Sequence, residues 1–288
     1  MPVKHRLGDM ELNILSDGDF YIDAGSTFGI VPRVMWEPYA GPLDNRYRLA
    51  LGLNCLLVQS QGRLILIETG VGDKPGGWRR QSSPLSQGTL MDDLAAIGVR
   101  PEEVDVVLNT HLHADQCGWN TRSVQGETVP TFPNAEYIFV RDEWEAAIAP
   151  NERTRATYLA ENFLPLREHG VLKLVDKETH ITDEVTLVPT PGHSAGHASV
   201  FFASAGETGV YIGDIAQRPV QLERTAWIAA FDIMPLVSME TKKALVEQAI
   251  EQRSLIIAVH VPFPGLGMMS RTEQGQRCWS AVEPDASK

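Results

Sequence analysis

The sequence predicts an α+β chain folded as one domain over residues 1–288, and three observations carry that expectation. Short apolar runs of strand length recur from residue 54 to residue 260. Stretches with helical spacing of Leu, Ile and Val stand between them, so strands and helices are mixed along the whole length. No break in composition serves as a clean linker, and mixed folds reach ~250 residues as one unit.

Residues 10–23 alternate apolar and polar side chains around Ser16-Asp17-Gly18-Asp19, and Asp and Gly tolerate the positive φ of a tight turn, so a hairpin is expected there. Residues 24–48 carry Pro32, Pro38 and Pro42 among aromatics and are expected to form a long loop. The runs NCLLVQ (54–59) and RLILIET (63–69) flank Ser60-Gln61-Gly62 and predict a second hairpin, buried on both faces. Gly-, Pro- and Ser-rich sequence fills 71–88. Leu90, Leu94, Ile97 and Val99 then recur at helical spacing before a strand at 105–109.

Further strands are expected at 136–140, 171–175, 185–190, 198–202 and 210–213. Helical sequence is expected from 142 to about 169, and a solvated amphipathic helix at 238–252. A strand at 255–260 is expected to be the last.

Against 37 Asp and Glu stand 25 Lys and Arg, a net charge of −12 that repels phosphate backbones; the only dense basic pair, Arg79-Arg80, is too short to reverse this. Residues 1–13 lack the apolar stretch of a signal peptide. The longest apolar run, 255–261, is far below the ~18 residues of a membrane span, so a cytoplasmic protein is expected. Cys55, Cys117 and Cys278 are odd in number and form no CxxC, which argues against a disulfide framework or a thiolate zinc site. The expected partner is a small-molecule substrate, with no nucleic acid and no membrane, and the composition allows a homodimer.

Spacing separates the eight histidines. His5, His169 and His180 stand alone and are expected to be ordinary surface or core residues. His111, His113 and Asp115 follow an apolar strand directly, two imidazoles and a carboxylate within five residues. Alternate positions on extended backbone point the same way, so the imidazoles can converge on one ion while the turn carries Asp115 to a neighbouring one. His193 lies in TPGHSAGH, Asp214 ends YIGD and His260 ends LIIAVH. Four strand ends thus supply one candidate site of imidazole and carboxylate donors, which suit zinc.

The order, spacing and context of these segments resemble the metallo-β-lactamase-fold hydrolase superfamily over nearly the whole chain. DGDFYIDAGSTFGIVPRVMW, the ETG turn, TPGHSAGH and HVPFPGLG resemble the branch containing lactonases and methyl-parathion-type organophosphate hydrolases. The resemblance implies a four-layer αββα sandwich with a two-metal site at one edge. It makes His111, His113 and His193 ligands of a first ion, Asp115 and His260 ligands of a second, and Asp214 the bridging carboxylate. Where the family reads HxHxDH, this chain has Gln116, whose neutral carbonyl oxygen is a harder and weaker donor than imidazole. Gln116 then ligates weakly, is replaced by water, or leaves the second position empty; reduced second-ion affinity is expected. Glu68 replaces the family's DTG aspartate, which supports a ligand from behind, and lengthens that arm.

Zn2+ is the implied cofactor, as one or two ions, with Mn2+, Fe2+ or Co2+ as substitutes. The resemblance implies a metal-activated hydroxide that opens a lactone or cleaves a related ester, with phosphotriester hydrolysis as a side activity. Asp115 accepts or relays the proton and is the implied catalytic residue. The missing leader argues against a periplasmic β-lactam resistance enzyme. Two alternatives are a single-iron dioxygenase of the same fold, with two histidines and an aspartate on the metal, and a degenerate, non-catalytic metal-binding member. Substrate contacts are expected from loops 25–36, 71–85, 117–121 and 216–227, with Phe28, Trp36, Trp119, Trp227 and Phe231 forming an apolar pocket. Ordinary packing is the competing expectation for each aromatic. Cys117 is expected to be structural, and His197 to pack behind the ligand loop outside the metal set.

Overall fold

In the computed structural model, residues 1–74 and 89–285 are described. Strands β1 (Val3–Leu7) and β2 (Met10–Asp23) open the chain and are followed by short helices α1 (Ala24–Phe28) and α2 (Arg33–Ala40). β3 (Arg48–Ser60) and β4 (Arg63–Ile67) form the hairpin expected around Gln61-Gly62. α3 (Leu90–Ala96) leads to β5 (Val106–Leu108), and a ribbon of β6 (Thr121–Val124) and β7 (Glu127–Pro130) precedes β8 (Glu136–Val140). Next come α4 (Arg141–Ile148), α5 (Leu164–Glu168) and β9 (Leu172–Val175). The remainder runs β10 (Thr179–His180), β11 (Val185–Pro189), β12 (Ala198–Ser204), β13 (Glu207–Tyr211), α6 (Pro219–Glu223), α7 (Pro235–Gln252), β14 (Leu255–Ile257), β15 (Leu266–Arg271) and β16 (Arg277–Ala281).

Two seven-stranded sheets result, ordered β1-β2-β3-β4-β5-β8-β9 and β10-β11-β12-β13-β14-β15-β16. Successive residues of a strand point to opposite faces, and here both faces are apolar. Ile65 and Ile67 of β4 and Val106 and Leu108 of β5 join Leu187, Val200 and Ile257 of the second sheet in one buried layer. Leu66 and Val107 point the other way, into a cluster with Leu90 and Leu94 of α3 and Trp144 of α4. Val210 and Ile256 likewise pack with Leu245, Val246 and Ala249 of α7. Helix, sheet, sheet and helix therefore stack in four layers, the αββα sandwich. Among the described residues, no helix is long and apolar enough to cross a membrane.

Four local expectations are corrected. Residues 10–23 form one strand rather than a hairpin: β2 pairs with β3 along its length, and the register slips between Ser16 and Asp19 so that Asp17-Gly18 bulges. Gly18 takes a φ of 96°. The Asp17 carboxylate holds the bulge by accepting from the N–H groups of Val71, Gly72 and Leu90 and from Trp119 Nε1, at 2.9–3.1 Å. The first hairpin lies one strand earlier, where Leu7 pairs with Met10.

Residues 24–28 and 33–40 are helical instead of loop, because Asp23 caps α1 by accepting from Ser26 N at 3.0 Å and Phe28 and Trp36 pack inward. The helical stretch after 142 breaks after Ile148, where Pro150 follows, and resumes at Leu164. β14 is followed by β15 and β16, which extend the sheet; β16 has no fully buried residue, so its sequence shows little apolar alternation.

Candidate metal centre

The turns after β5, β11, β13 and β14 meet at one edge of the sandwich. They bring together all seven residues expected to ligate, each no more than 7% exposed. His111, His113 and His193 each present a ring nitrogen within 4.8 Å of the other two. His193 Nε2 lies 3.1 Å from His113 Nδ1 and 3.2 Å from Asp214 Oδ2. His111 Nε2 stands 3.9 Å from the same oxygen. On the opposite side, His260 Nε2 is 3.0 Å from Asp214 Oδ1 and 3.5 Å from Asp115 Oδ2. Asp214 thus turns one oxygen to each half.

Three of the imidazoles are oriented from behind through Nδ1, which leaves the Nε2 lone pair for the cluster. His193 Nδ1 is 2.9 Å from Asp232 Oδ1, and His260 Nδ1 donates to Gly52 O at 2.8 Å. His111 Nδ1 is 3.0 Å from Thr110 Oγ1, whose own hydrogen goes to Glu68. Glu68 also accepts from Thr110 N at 2.8 Å and Asn109 Nδ2 at 2.9 Å, so its arm reaches the ligand through a hydroxyl. Burial pushes its carboxyl up to about 8 against those hydrogen bonds.

The residues fit a divalent ion. His111 Nε2 is buried without a hydrogen-bond partner, a state that costs about 1–3 kcal/mol in an ordinary interior. A cation held by it, His113 Nδ1, His193 Nε2 and Asp214 would supply the missing partner. Burial and the neighbouring imidazoles push His111 and His113 well below the usual imidazole range, which keeps them neutral donors. Burial pulls His193 down too, while Asp214 and Asp232 pull it up, and the same two carboxylates draw positive charge into the cluster. Gln116 differs in kind. Its Nε2 donates to Asp214 Oδ1 at 3.0 Å and lies 3.1 Å from His260 Nε2, while its Oε1 is buried without a partner.

Several supporting residues escaped the sequence reading. Glu143, in the helical stretch expected from residue 142, is 1% exposed and clips the two turns together. One oxygen accepts from Leu112 N at 2.9 Å and Tyr158 OH at 3.1 Å, the other from Ser194 Oγ at 2.5 Å and Gly196 N at 3.3 Å. Asn54 holds the His260 turn by donating to the carbonyls of Ala258 and Val261. His197 packs behind the site, where its Nε2 accepts from Asp214 N at 3.0 Å. Gly213 beside it has a φ of 53°, and a Cβ there would meet His197 Nε2 at 2.6 Å. Cys117 donates to the carbonyls of Leu112 and His113, and burial raises its thiol far above the usual range. No local pattern marks Glu143 or Asp232, because their partners are distant in sequence.

A small cavity opens over the cluster, walled by Phe20, Ile22, Leu51 and Phe231 with Thr157 and Gln217, and floored by His113, Asp115, His193, Asp214 and His260. A second one adjoins it through His113, Thr157 and Phe231 and adds Arg153 and Thr154. Of the aromatics expected at substrate, only Phe231 lines these cavities. Phe28, Trp36 and Trp227 pack on one another instead, with Phe28 and Trp36 stacked at 5.0 Å and Phe28 and Trp227 edge-to-face at 6.0 Å. Trp119 is buried behind the site with its Nε1 on Asp17. Ordinary packing wins for Phe28, Trp36 and Trp227 because α1 and α2 fold their apolar faces onto Leu49, Leu51 and Leu53, and for Trp119 because it joins the cluster of Leu57, Leu66 and Leu112. Of loop 71–85, residues 75–85 lie outside the described residues.

With this fold and site, residues 50–259 match the Metallo-beta-lactamase superfamily, and the chain belongs to it. An N-acyl homoserine lactonase of Bacillus thuringiensis is 26% identical over 224 residues, 74% of this chain and 82% of that protein. Two solved structures are similar over almost their whole length. A probable metal-dependent hydrolase from Staphylococcus aureus has a TM-score of 0.84 at 25% identity, covering 98% of this chain and 100% of that one. The hydrolase AbOPH in the beta lactamase superfamily has a TM-score of 0.83 at 26% identity, covering 99% and 98%.

Proposed function

We propose that this chain is a metal-dependent hydrolase that opens lactones and cleaves related esters, with phosphotriester cleavage as a secondary activity. One observation carries the proposal: three imidazoles and Asp214 converge beneath an apolar-walled cavity. The lactonase relative supports the lactone class. Three converging imidazoles, rather than two with one carboxylate, favour hydrolysis over the single-iron dioxygenase.

His111, His113, His193 and Asp214 would hold the ion, with zinc suited to the donor set. When bound, such an ion supplies Lewis acidity and lowers the pKa of coordinated water from ~15.7 towards ~7. Asp115 faces the cavity floor and moves the proton at its carboxylate oxygens; burial, opposed by His260, pushes it up to about 6, so it exchanges a proton near neutral pH. Phe20, Ile22, Leu51 and Phe231 take up an apolar substituent and exclude water, while Thr157 and Gln217 offer polar contacts.

A substrate panel tests this: N-acyl homoserine lactones, simple lactones, aryl esters, phosphotriesters and β-lactams, each with protein loaded separately with zinc, manganese, cobalt and iron. Lactone opening is expected to be fastest and phosphotriester cleavage slower. Turnover of no ester, or oxygen uptake with a persulfide, would sink the proposal.

A further inference from the structure

The Gln116 amide stands where the second group of ligands converges, and it turns its nitrogen to them. Asp214 Oδ1, an ionised carboxylate oxygen, can only accept, so the amide atom 3.0 Å away is the NH2 group. The same nitrogen is 3.1 Å from His260 Nε2. That ring nitrogen in turn lies 3.0 Å from the same Asp214 oxygen, while the other nitrogen of the ring donates to Gly52 O, so the amide and the ring both turn a nitrogen to Asp214 Oδ1.

The amide is also held in place. Gln116 is fully buried, its N–H donates to His113 O at 3.0 Å, and its carbonyl accepts from Thr69 N at 2.7 Å and Asn109 Nδ2 at 2.8 Å. Its Oε1, the amide atom that ligates metals, is not the one presented to Asp214 and His260.

We infer that Gln116 is a built-in replacement for a second cation: its NH2 group occupies Asp214 Oδ1 beside His260, and the chain holds one divalent ion, on His111, His113, His193 and Asp214. This rests on the metal-dependent reading above and adds to it the number of ions. It also relieves Asp115 of ligation, which leaves that carboxylate to proton transfer alone.

The test is elemental analysis of the full chain after equilibration with excess zinc and gel filtration, alongside Gln116→His and Gln116→Glu. One zinc per native chain is expected, and two for either variant, because imidazole and carboxylate bring the lone pair that the amide NH2 lacks. A second readout is the Tm difference between zinc-loaded and EDTA-treated protein. It is expected to be larger in Gln116→Glu than in the native protein, since a third carboxylate then joins Asp115 and Asp214 without a counter-charge. Two tightly held ions in the native protein overturn the inference and leave the hydrolase reading standing. One ion in the native protein and in both folded variants overturns the role of Gln116. No ion in the native protein at any pH tried overturns both; if the variants do not fold, the native count alone decides.

Discussion

Around Asp214, the side holding His111, His113 and His193 and the side holding Asp115, Gln116 and His260 differ in how their buried polar atoms are paired. On the first side ring nitrogens face one another at 3.1 Å, and Nε2 of His111 has no partner. On the second side the NH2 group of Gln116 donates to Asp214 Oδ1, which His260 Nε2 also approaches to 3.0 Å. Lone pairs facing lone pairs call for a cation, whereas lone pairs facing N–H groups do not. One residue, placed next to an otherwise intact HxHxD run, is enough to separate the two halves.

The largest effect that tests this contrast comes from removing one imidazole on each side. His111→Ala is expected to abolish bound zinc and lactone turnover together, while His260→Ala keeps one zinc per chain by elemental analysis. Loss of the ion from His260→Ala would break the comparison.

A smaller effect lies behind His193, where Lys242 is buried and its Nζ donates to Trp227 O at 2.9 Å. Burial pushes this ammonium down from 10.5 to about 8. Between those values the unfolded chain holds the proton and the folded chain does not, so stability rises with pH across the window and is flat below it. At ~1.4 kcal/mol per pKa unit the rise is at most about 3 kcal/mol. Urea unfolding from pH 7.5 to 10.5 is expected to show it in the native protein and not in Lys242→Met; identical slopes in the two would refute the assignment.

The smallest effect sharpens the contrast in supports. Asp232→Ala removes the carboxylate behind His193 and is expected to weaken zinc binding by about 10–100-fold, measured by competition with a chelator. The corresponding support of His260 is the carbonyl of Gly52, which no side-chain deletion removes. An unchanged zinc affinity in Asp232→Ala would mean that packing alone orients His193.

Much of the site was legible in the sequence because ligand chemistry is local. His111, His113 and Asp115 share one strand exit, and His193, Asp214 and His260 each follow a strand that short apolar runs announce. The sandwich was implied by the resemblance of these segments to the superfamily, and β4 and β5 accordingly alternate between two apolar faces. What failed was the use made of local signals. Ser16-Asp17-Gly18-Asp19 has the composition of a turn, yet the Asp17 carboxylate found donors at residues 71, 72, 90 and 119, and the segment became a bulge inside one strand. Phe28, Trp36 and Trp227 read equally as pocket or packing, and only the fold of α1 and α2 decided for packing.

By itself, then, the sequence determined the donor types, their order and the strand exits that carry them, because residue identity and spacing are properties of short segments. The tertiary structure alone decided that Glu143 clips the turns of His111 and His193, that Asp232 and Glu68 stand behind two imidazoles, and that the NH2 of Gln116 meets Asp214. Those outcomes are pairings between residues up to about a hundred positions apart, and which buried atom faces which is set by how the two sheets close on each other.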